Sequence, residues 1–215
     1  MRRPRLHLRR GLTLVELVFV VAILAILAAA VIPAASSFIN NGKSAAAQAT
    51  LLRVREAIVG GATGSDGGGY RADTGGKLPN KVADLLTNPF PGTDPLSVFD
   101  RDTGLGWRGP YITSGTGTYV LNPARGFTAA YGNAGDLTVL DPWGNPVVLQ
   151  YPTAGAASDR EPYARLVSAG PDGILQTPPD ALALDSASVQ RPWPATTAAV
   201  RGDDLVLFLN RGDAP

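Results

Sequence analysis

Between positions 12 and 39 the chain is apolar almost without relief, LTLVELVFVVAILAILAAAVIPAASSFI. From Leu17 through Asn41 no side chain carries a charge. At about 1.5 Å rise per residue, a helix of that length crosses a hydrocarbon core of roughly 30 Å. The pattern therefore predicts a membrane-spanning helix. One acid, Glu16, breaks the series near its start, where a charge in lipid costs on the order of 2.5–3.5 kcal/mol. Something has to compensate it.

The apolar pattern then narrows to a stripe. In residues 42–59, GKSAAAQATLLRVREAIV, the positions Ala47, Leu51, Val54 and Ile58 recur at helical spacing, while Lys43, Arg53, Arg55 and Glu56 fall largely elsewhere. One long helix from about Leu12 to Val59 is predicted, its first half in lipid and its second an amphipathic spine for a globular body. Gly60-Gly61 ends it. Residues 60–76, GGATGSDGGGYRADTGG, hold too few large apolar groups to order themselves and are read as a mobile loop. A phosphate cradle is not expected there, because no strand precedes it and the lysine-serine ending of a P-loop is missing.

In LPNKVADLLTNPF a short apolar face, Val82, Leu85 and Leu86, predicts one or two helical turns between prolines. The following stretch to Ile112 is irregular, with Trp107 and Tyr111 as anchors into the core. Its Asp94, Asp100 and Asp102 are read as turn carboxylates and not as a metal loop, since Asp favours turns. From Gly117 onward, TYVLNP, DLTVLDP, NPVVLQYP and YARLVSAG are short β-rich runs separated by turn residues. They predict a small antiparallel sheet laid against the spine. A last strand-like run, LVLFLN, follows the adjacent carboxylates Asp203 and Asp204 after a long stretch that includes several prolines and Trp193. The fold class is thus α+β: one long N-terminal helix, transmembrane in its first half, packed on a small antiparallel β-sheet with a long C-terminal loop region.

The 215 residues leave room for one medium domain beyond the anchor. The formal charge of +1 conceals an asymmetry, because five of the 19 Lys and Arg precede Gly11, all of them arginines. Without them 14 basic residues face 18 acidic ones, about −4, which argues against a nucleic-acid surface. Cysteine is absent, so no disulfide staples the body. The one histidine, His7, also precedes Gly11, which excludes imidazole-dependent catalysis, thiol nucleophiles and the commonest zinc sites from the rest of the chain. Paired acids such as Asp203 and Asp204 do glycosidase work only when set about 5–9.5 Å apart across a cleft, and nothing else in the sequence supports one. No enzyme is expected.

The segment MRRPRLHLRRG is basic, ends in Gly11 and leads directly into Leu12-Thr13-Leu14-Val15-Glu16. With the uninterrupted apolar run and Pro33, this resembles the class III signal of type IV pilins and secretion pseudopilins. The resemblance implies that a prepilin peptidase cuts after Gly11 and methylates the new amino terminus at Leu12, where phenylalanine is most common. It implies that Glu16, the fifth mature residue, neutralises the terminal amine of a neighbouring subunit, and that Pro33 sits at the usual kink. A free amine against the positive end of a helix macrodipole and a carboxylate in lipid are both unfavourable alone, so their pairing would set register. The chain then divides into a cleaved leader (1–11), a transmembrane and assembly half of the helix (12–41) and a periplasmic pilin-like globular domain (42–215). The leader arginines orient a single-pass inner-membrane protein with its body in the periplasm. Two plainer readings compete. A secretory signal peptide has a shorter apolar region without an acid, and an ordinary signal anchor leaves Gly11 and Glu16 without a role.

Further on, Gly109-Pro110-Tyr111, Asp141-Pro142-Trp143-Gly144-Asn145-Pro146 and Ser168-Ala169-Gly170-Pro171-Asp172-Gly173 resemble segments of the major pseudopilin of type II secretion. That resemblance implies a structural calcium ion after the Asp-Gly turn, with Ser168, Asp172, Asp203 and Asp204 as candidate ligands and Asp180 as a further carboxylate nearby. The alternative is that Asp203-Asp204 is a solvated turn capping the last strand. The implied function is a structural subunit of a secretion pseudopilus filament. Its partners would be the prepilin peptidase, copies of itself or other pseudopilins, the inner-membrane secretion platform and the membrane, with no nucleic acid. A minor pilin of a type IV pilus or DNA-uptake filament is the alternative. A membrane-tethered module binding sugar or peptide through Trp107, Trp143 and Trp193 is a third reading, against which core tryptophans are the commoner explanation.

Overall fold

The computed structural model describes residues 13–61, 68–151, 164–179 and 202–209, without the side chains of 28 and 30–37. The processing residues Gly11 and Leu12, and also Asp180 and Trp193, lie outside the described residues, as does the side chain of Pro33 within its helix. The chain divides between Gly42 and Lys43 into two compact units. Helix α1, Leu14–Val59, contributes to both.

In the first unit, the large apolar side chains of 14–27 are all exposed, from 49% at Val20 to 80% at Leu14. Among the described residues no helix is long and apolar enough to cross a membrane. The continuous run of described side chains ends at 27, short of the roughly 20 residues a span needs, and the rest of the expected span includes residues outside the description.

In the second unit the predicted stripe is the seam of the core. Ala47, Leu51, Val54 and Ile58 are each at most 2% exposed. Leu51, Val54 and Ile58 pack with Leu85, Ile112, Val139, Val147, Leu149, Leu166 and Leu209. Burying each of these large aliphatic side chains contributes about 1.5–3 kcal/mol. Gly60 closes the helix at φ +96°, a conformation only glycine adopts without strain.

Residues 60–76 do not form a loop throughout. A short helix α2, Tyr70–Asp73, follows Gly69, and Tyr70, Asp73 and Thr74 are buried. The ordering comes from partners distant in sequence. The Tyr70 ring packs against Phe90 and edge-on against Tyr111, while Asp73 pairs with Arg108 at 2.9 Å and accepts from the Tyr111 hydroxyl at 3.0 Å. Gly69 packs so tightly under the end of α1 that a Cβ there would sit 2.7 Å from the Ala57 carbonyl oxygen. The turn expected near Val82 is a 3₁₀ helix, Val82–Leu85, whose Asp84 carboxylate accepts the Asn80 and Lys81 amides.

The β-rich runs form two antiparallel sheets and not one. The first pairs β1, Thr116–Thr118, with β2, Leu137–Val139. The second has the order β3-β4-β5, from Val148–Gln150, Arg165–Ser168 and Leu205–Phe208. Between the sheets stand Pro142 and Pro146, which cannot donate to a ladder. An isolated bridge, Leu140 with Pro146, and a bond from the Val147 amide to the Val139 carbonyl connect them. β1 lies earlier than the TYVLNP run predicts, because the Tyr119 carbonyl turns back to accept from Gly135 and the exposed Val120 and Leu121 fall beyond the strand.

Side chains alternate across a strand, and β4 is buried on both faces. Leu166 and Leu149 point to the α1 core. Val167 and Val148 point to a second cluster with Tyr119, Phe127 and Tyr131. Register pairs Ser168 with Leu205, which sets Asp203 and Asp204 beside the turn that follows β4.

Candidate functional site

Two places carry the residues that the sequence singles out. The first is the start of α1. The Thr13 hydroxyl accepts the Glu16 amide at 3.2 Å, and the Thr13 carbonyl accepts the Leu17 amide at 3.2 Å. Thr13 is thus the N-cap, with Glu16 three residues on, the Thr-x-x-Glu spacing of a capping box. That spacing is legible in the sequence, and Thr13 is the residue the sequence reading passed over. The Glu16 side chain is exposed and makes no hydrogen bond or ion pair among the described residues. An acid in a first helical turn is favoured by the macrodipole by about 0.3–1 kcal/mol. Glu16 therefore sits in the capped first turn of α1 with its side chain exposed.

The second place is the end of the β3-β4-β5 sheet, where two turns are stitched together. Asp141 is buried; its Oδ1 accepts the Trp143 and Asn145 amides at 3.0 and 2.8 Å, and its Oδ2 accepts the Ser168 hydroxyl at 2.7 Å. The Asn145 side-chain amide donates across to the Gly170 carbonyl at 3.2 Å. The Ser168-to-Gly173 segment then turns through Gly170 and Gly173, both at positive φ. Asp172 is exposed and holds that turn: its carboxylate accepts the Ile174 amide at 2.7 Å and the Gln176 side-chain amide at 2.8 Å.

Asp203 and Asp204 arrive at the same turn just before β5. Oδ2 of Asp203 accepts the Asp172 amide at 3.1 Å. Oδ2 of Asp204 accepts the Gln176 and Thr177 amides at 2.9 and 2.6 Å. Oδ1 of each is buried and has no partner among the described residues. Burial pushes the Asp204 carboxyl up to about 6; the Thr177 hydroxyl and the two amides oppose that rise and the Asp203 charge adds to it. The geometry thus brings Asp172, Asp203 and Asp204 to one turn, while the Ser168 hydroxyl is engaged elsewhere, on Asp141.

Two adjacent buried carboxylate oxygens without donors fit a hard cation, since such oxygens are costly to bury unpaired. Among the described residues no group of three or more acidic or histidine side chains is arranged to hold a metal, so any ion there would draw its other ligands from hydroxyl, carbonyl or water oxygens. Of the aspartates read as turn carboxylates, Asp94 caps a 3₁₀ helix through the Leu96 amide, and Asp100 accepts the Asp102 amide. The Trp107 indole donates to the Asp84 carbonyl at 3.2 Å and its ring lies edge-on to Tyr111, an anchor in the core; Trp143 is half-buried in its turn.

Residues 6–32 match the family described as the prokaryotic N-terminal methylation motif. No curated protein and no solved structure matches the chain. The motif contains Gly11, Thr13 and Glu16, and it supports a type IV pilin-like filament subunit processed by a prepilin peptidase. The α+β body, a helix packed with small antiparallel sheets, is consistent with that fold.

Proposed function

We propose that this protein is a subunit of a type II secretion pseudopilus, cleaved after Gly11, anchored in the inner membrane with its body in the periplasm, and assembled through α1. The observation that carries the reading is the start of that helix: a methylation motif in which Glu16 is held in the first turn by Thr13 and offers an unpartnered carboxylate. A neighbour's terminal amine is the group that satisfies it, and the ion pair then fixes how far one helix slides along the next. The exposed apolar face of 14–27 supports the same reading, since it has no tertiary partner among the described residues and is suited to lipid or to like helices.

The choice of secretion over a pilus rests on the resemblance of the body segments. The two turns that carry it, Asp141 to Pro146 and Ser168 to Gly173, are joined by the Asp141–Ser168 and Asn145–Gly170 bonds. With it comes a structural calcium ion at the Asp203 and Asp204 oxygens, tying the C-terminal loop region where no disulfide exists. A deletion in the native host, scored in one culture for exoproteins, surface pili and DNA uptake, tests the assignment. Exoproteins trapped in the periplasm with normal pili are expected. Lost pili or DNA uptake with normal secretion would make the chain a minor pilin instead.

A further inference from the structure

Asp203 and Asp204 are used alike, Oδ2 on the amides of the turn and Oδ1 buried without a partner. A third oxygen shares that condition. Thr177 is 6% exposed, and its hydroxyl has no hydrogen-bond partner among the described residues. Other threonines here solve the same problem locally: the hydroxyls of Thr50, Thr74 and Thr87 each donate to the carbonyl four residues back. Thr177 makes no such bond, although its own amide and carbonyl are both engaged.

Its amide donates to Asp204 Oδ2 at 2.6 Å, and its carbonyl accepts the Gln150 side-chain amide at 3.0 Å. The next carbonyl, of Pro178, accepts the Arg165 guanidinium at 2.6 Å. Arg165 and Gln150 are buried cross-strand neighbours on β4 and β3, joined at 2.9 Å. Backbone atoms of 176–178 are thus gripped from one side by a buried carboxylate and from the other by a buried guanidinium and its amide partner. Held this way, the Thr177 hydroxyl is close enough to the Asp204 carboxylate to favour its charged form.

Resting on the calcium reading above, we propose that the hydroxyl oxygen of this cation site comes from Thr177, joining Oδ1 of Asp203 and Oδ1 of Asp204, and not from Ser168. Two carboxylates balance a divalent charge. A hydroxyl, main-chain carbonyls and water complete the 6–8 oxygens that calcium takes. Ser168 is unsuited because its hydroxyl is committed to the buried Asp141.

The test is calcium titration by calorimetry of the full chain in detergent after chelator treatment, with T177V, T177S and S168A beside the wild type. Valine matches threonine in shape and removes a buried hydroxyl without a hydrogen-bond partner among the described residues, so apo T177V should melt within a few degrees of the wild type. Its calcium affinity should fall on the order of tenfold or more, the size of effect that supporting groups of metal sites show. T177S should restore binding, and S168A should bind like the wild type. Wild-type affinity in T177V, or a loss of apo stability alongside the loss of affinity, overturns the Thr177 assignment while calcium stands. No calcium binding by the wild type overturns the calcium reading and this inference with it.

Discussion

Residues 14–27 and residues 47–58 belong to the same α-helix and place their apolar side chains in opposite circumstances. In the first stretch, leucines, valines and isoleucines stand half or more exposed. In the second, Leu51, Val54 and Ile58 are sealed into a core with residues from both sheets. The difference lies in the polar positions between them. Arg53, Arg55 and Glu56 confine the apolar groups of the second stretch to a stripe that one body can cover, whereas Leu17 to Leu27 is apolar all round and no single body can cover it. The free energy of the stripe is folding energy. That of the uniform stretch, on the function proposed above, is left for lipid and for other copies of the chain.

The sharpest way to break this comparison is Glu16→Ala. Filament formation should be lost, with uncut and cut subunit still present in the membrane fraction by immunoblot and the body's melting temperature unchanged. A variant that assembles normally would mean that the free carboxylate at the head of α1 has no assembly role. Leu51→Ala should do the reverse. It leaves a cavity in the core and should lower the stability of the body by about 2–5 kcal/mol in denaturant unfolding, with cleavage of the leader unaffected. If Leu51→Ala proves harmless, the stripe is not the seam of the body.

A smaller effect separates the two regions by pH. The Asp204 carboxyl titrates near 6 in the folded body, above its ordinary value of 3.8. A raised value means that the folded state binds the proton more tightly, so its stabilising contribution is complete below about pH 4 and is lost as pH rises through 6. Calcium-free protein should therefore gain up to about 3 kcal/mol of body stability between pH 7 and pH 4 from this group. The comparison to make is with Asp204→Asn, in which that share of the slope should vanish; equal slopes in the two proteins would show that Asp204 is not held in this state. Saturating calcium should flatten the wild-type slope, because it binds the ionised carboxylate and raises stability at pH 7 relative to pH 4.

Features set by local period were legible in the sequence, and features set by distant partners were not. The stripe of Ala47, Leu51, Val54 and Ile58 and the glycine stop at Gly60 follow from spacing and backbone chemistry alone. The order of Tyr70–Asp73 depends on Arg108 and Tyr111, 35 and 38 residues from Asp73, and a window of glycines gives no sign of them. The division into two sheets was encoded by Pro142 and Pro146, but which strand each β-rich run joins is decided by pairing. At the candidate cation site, the doubled aspartate was visible. Thr177 was not, because Gln150 and Asp204, each 27 residues away in opposite directions, are what leave its hydroxyl unpartnered. Ser168 looked equivalent by type and proximity, and only the buried Asp141 distinguishes it.

The smallest expected effect bears on the region whose function was easiest to read. Thr13 holds the first turn of α1 by accepting the Glu16 amide, and N-cap threonine to alanine costs about 1 kcal/mol. In Thr13→Ala that turn should fray without unfolding anything else, since 14–27 has no tertiary partner to lose among the described residues. Glu16 would then lose its fixed position. Assembly should fall partially, by several-fold, where Glu16→Ala abolishes it, and Thr13→Ser should restore it because serine caps equally well. Filament yield at equal subunit levels reads this directly. Full assembly in Thr13→Ala would show that the carboxylate finds its partner without a preformed turn, so that contact with the neighbouring subunit, and not the subunit's own helix, sets its place.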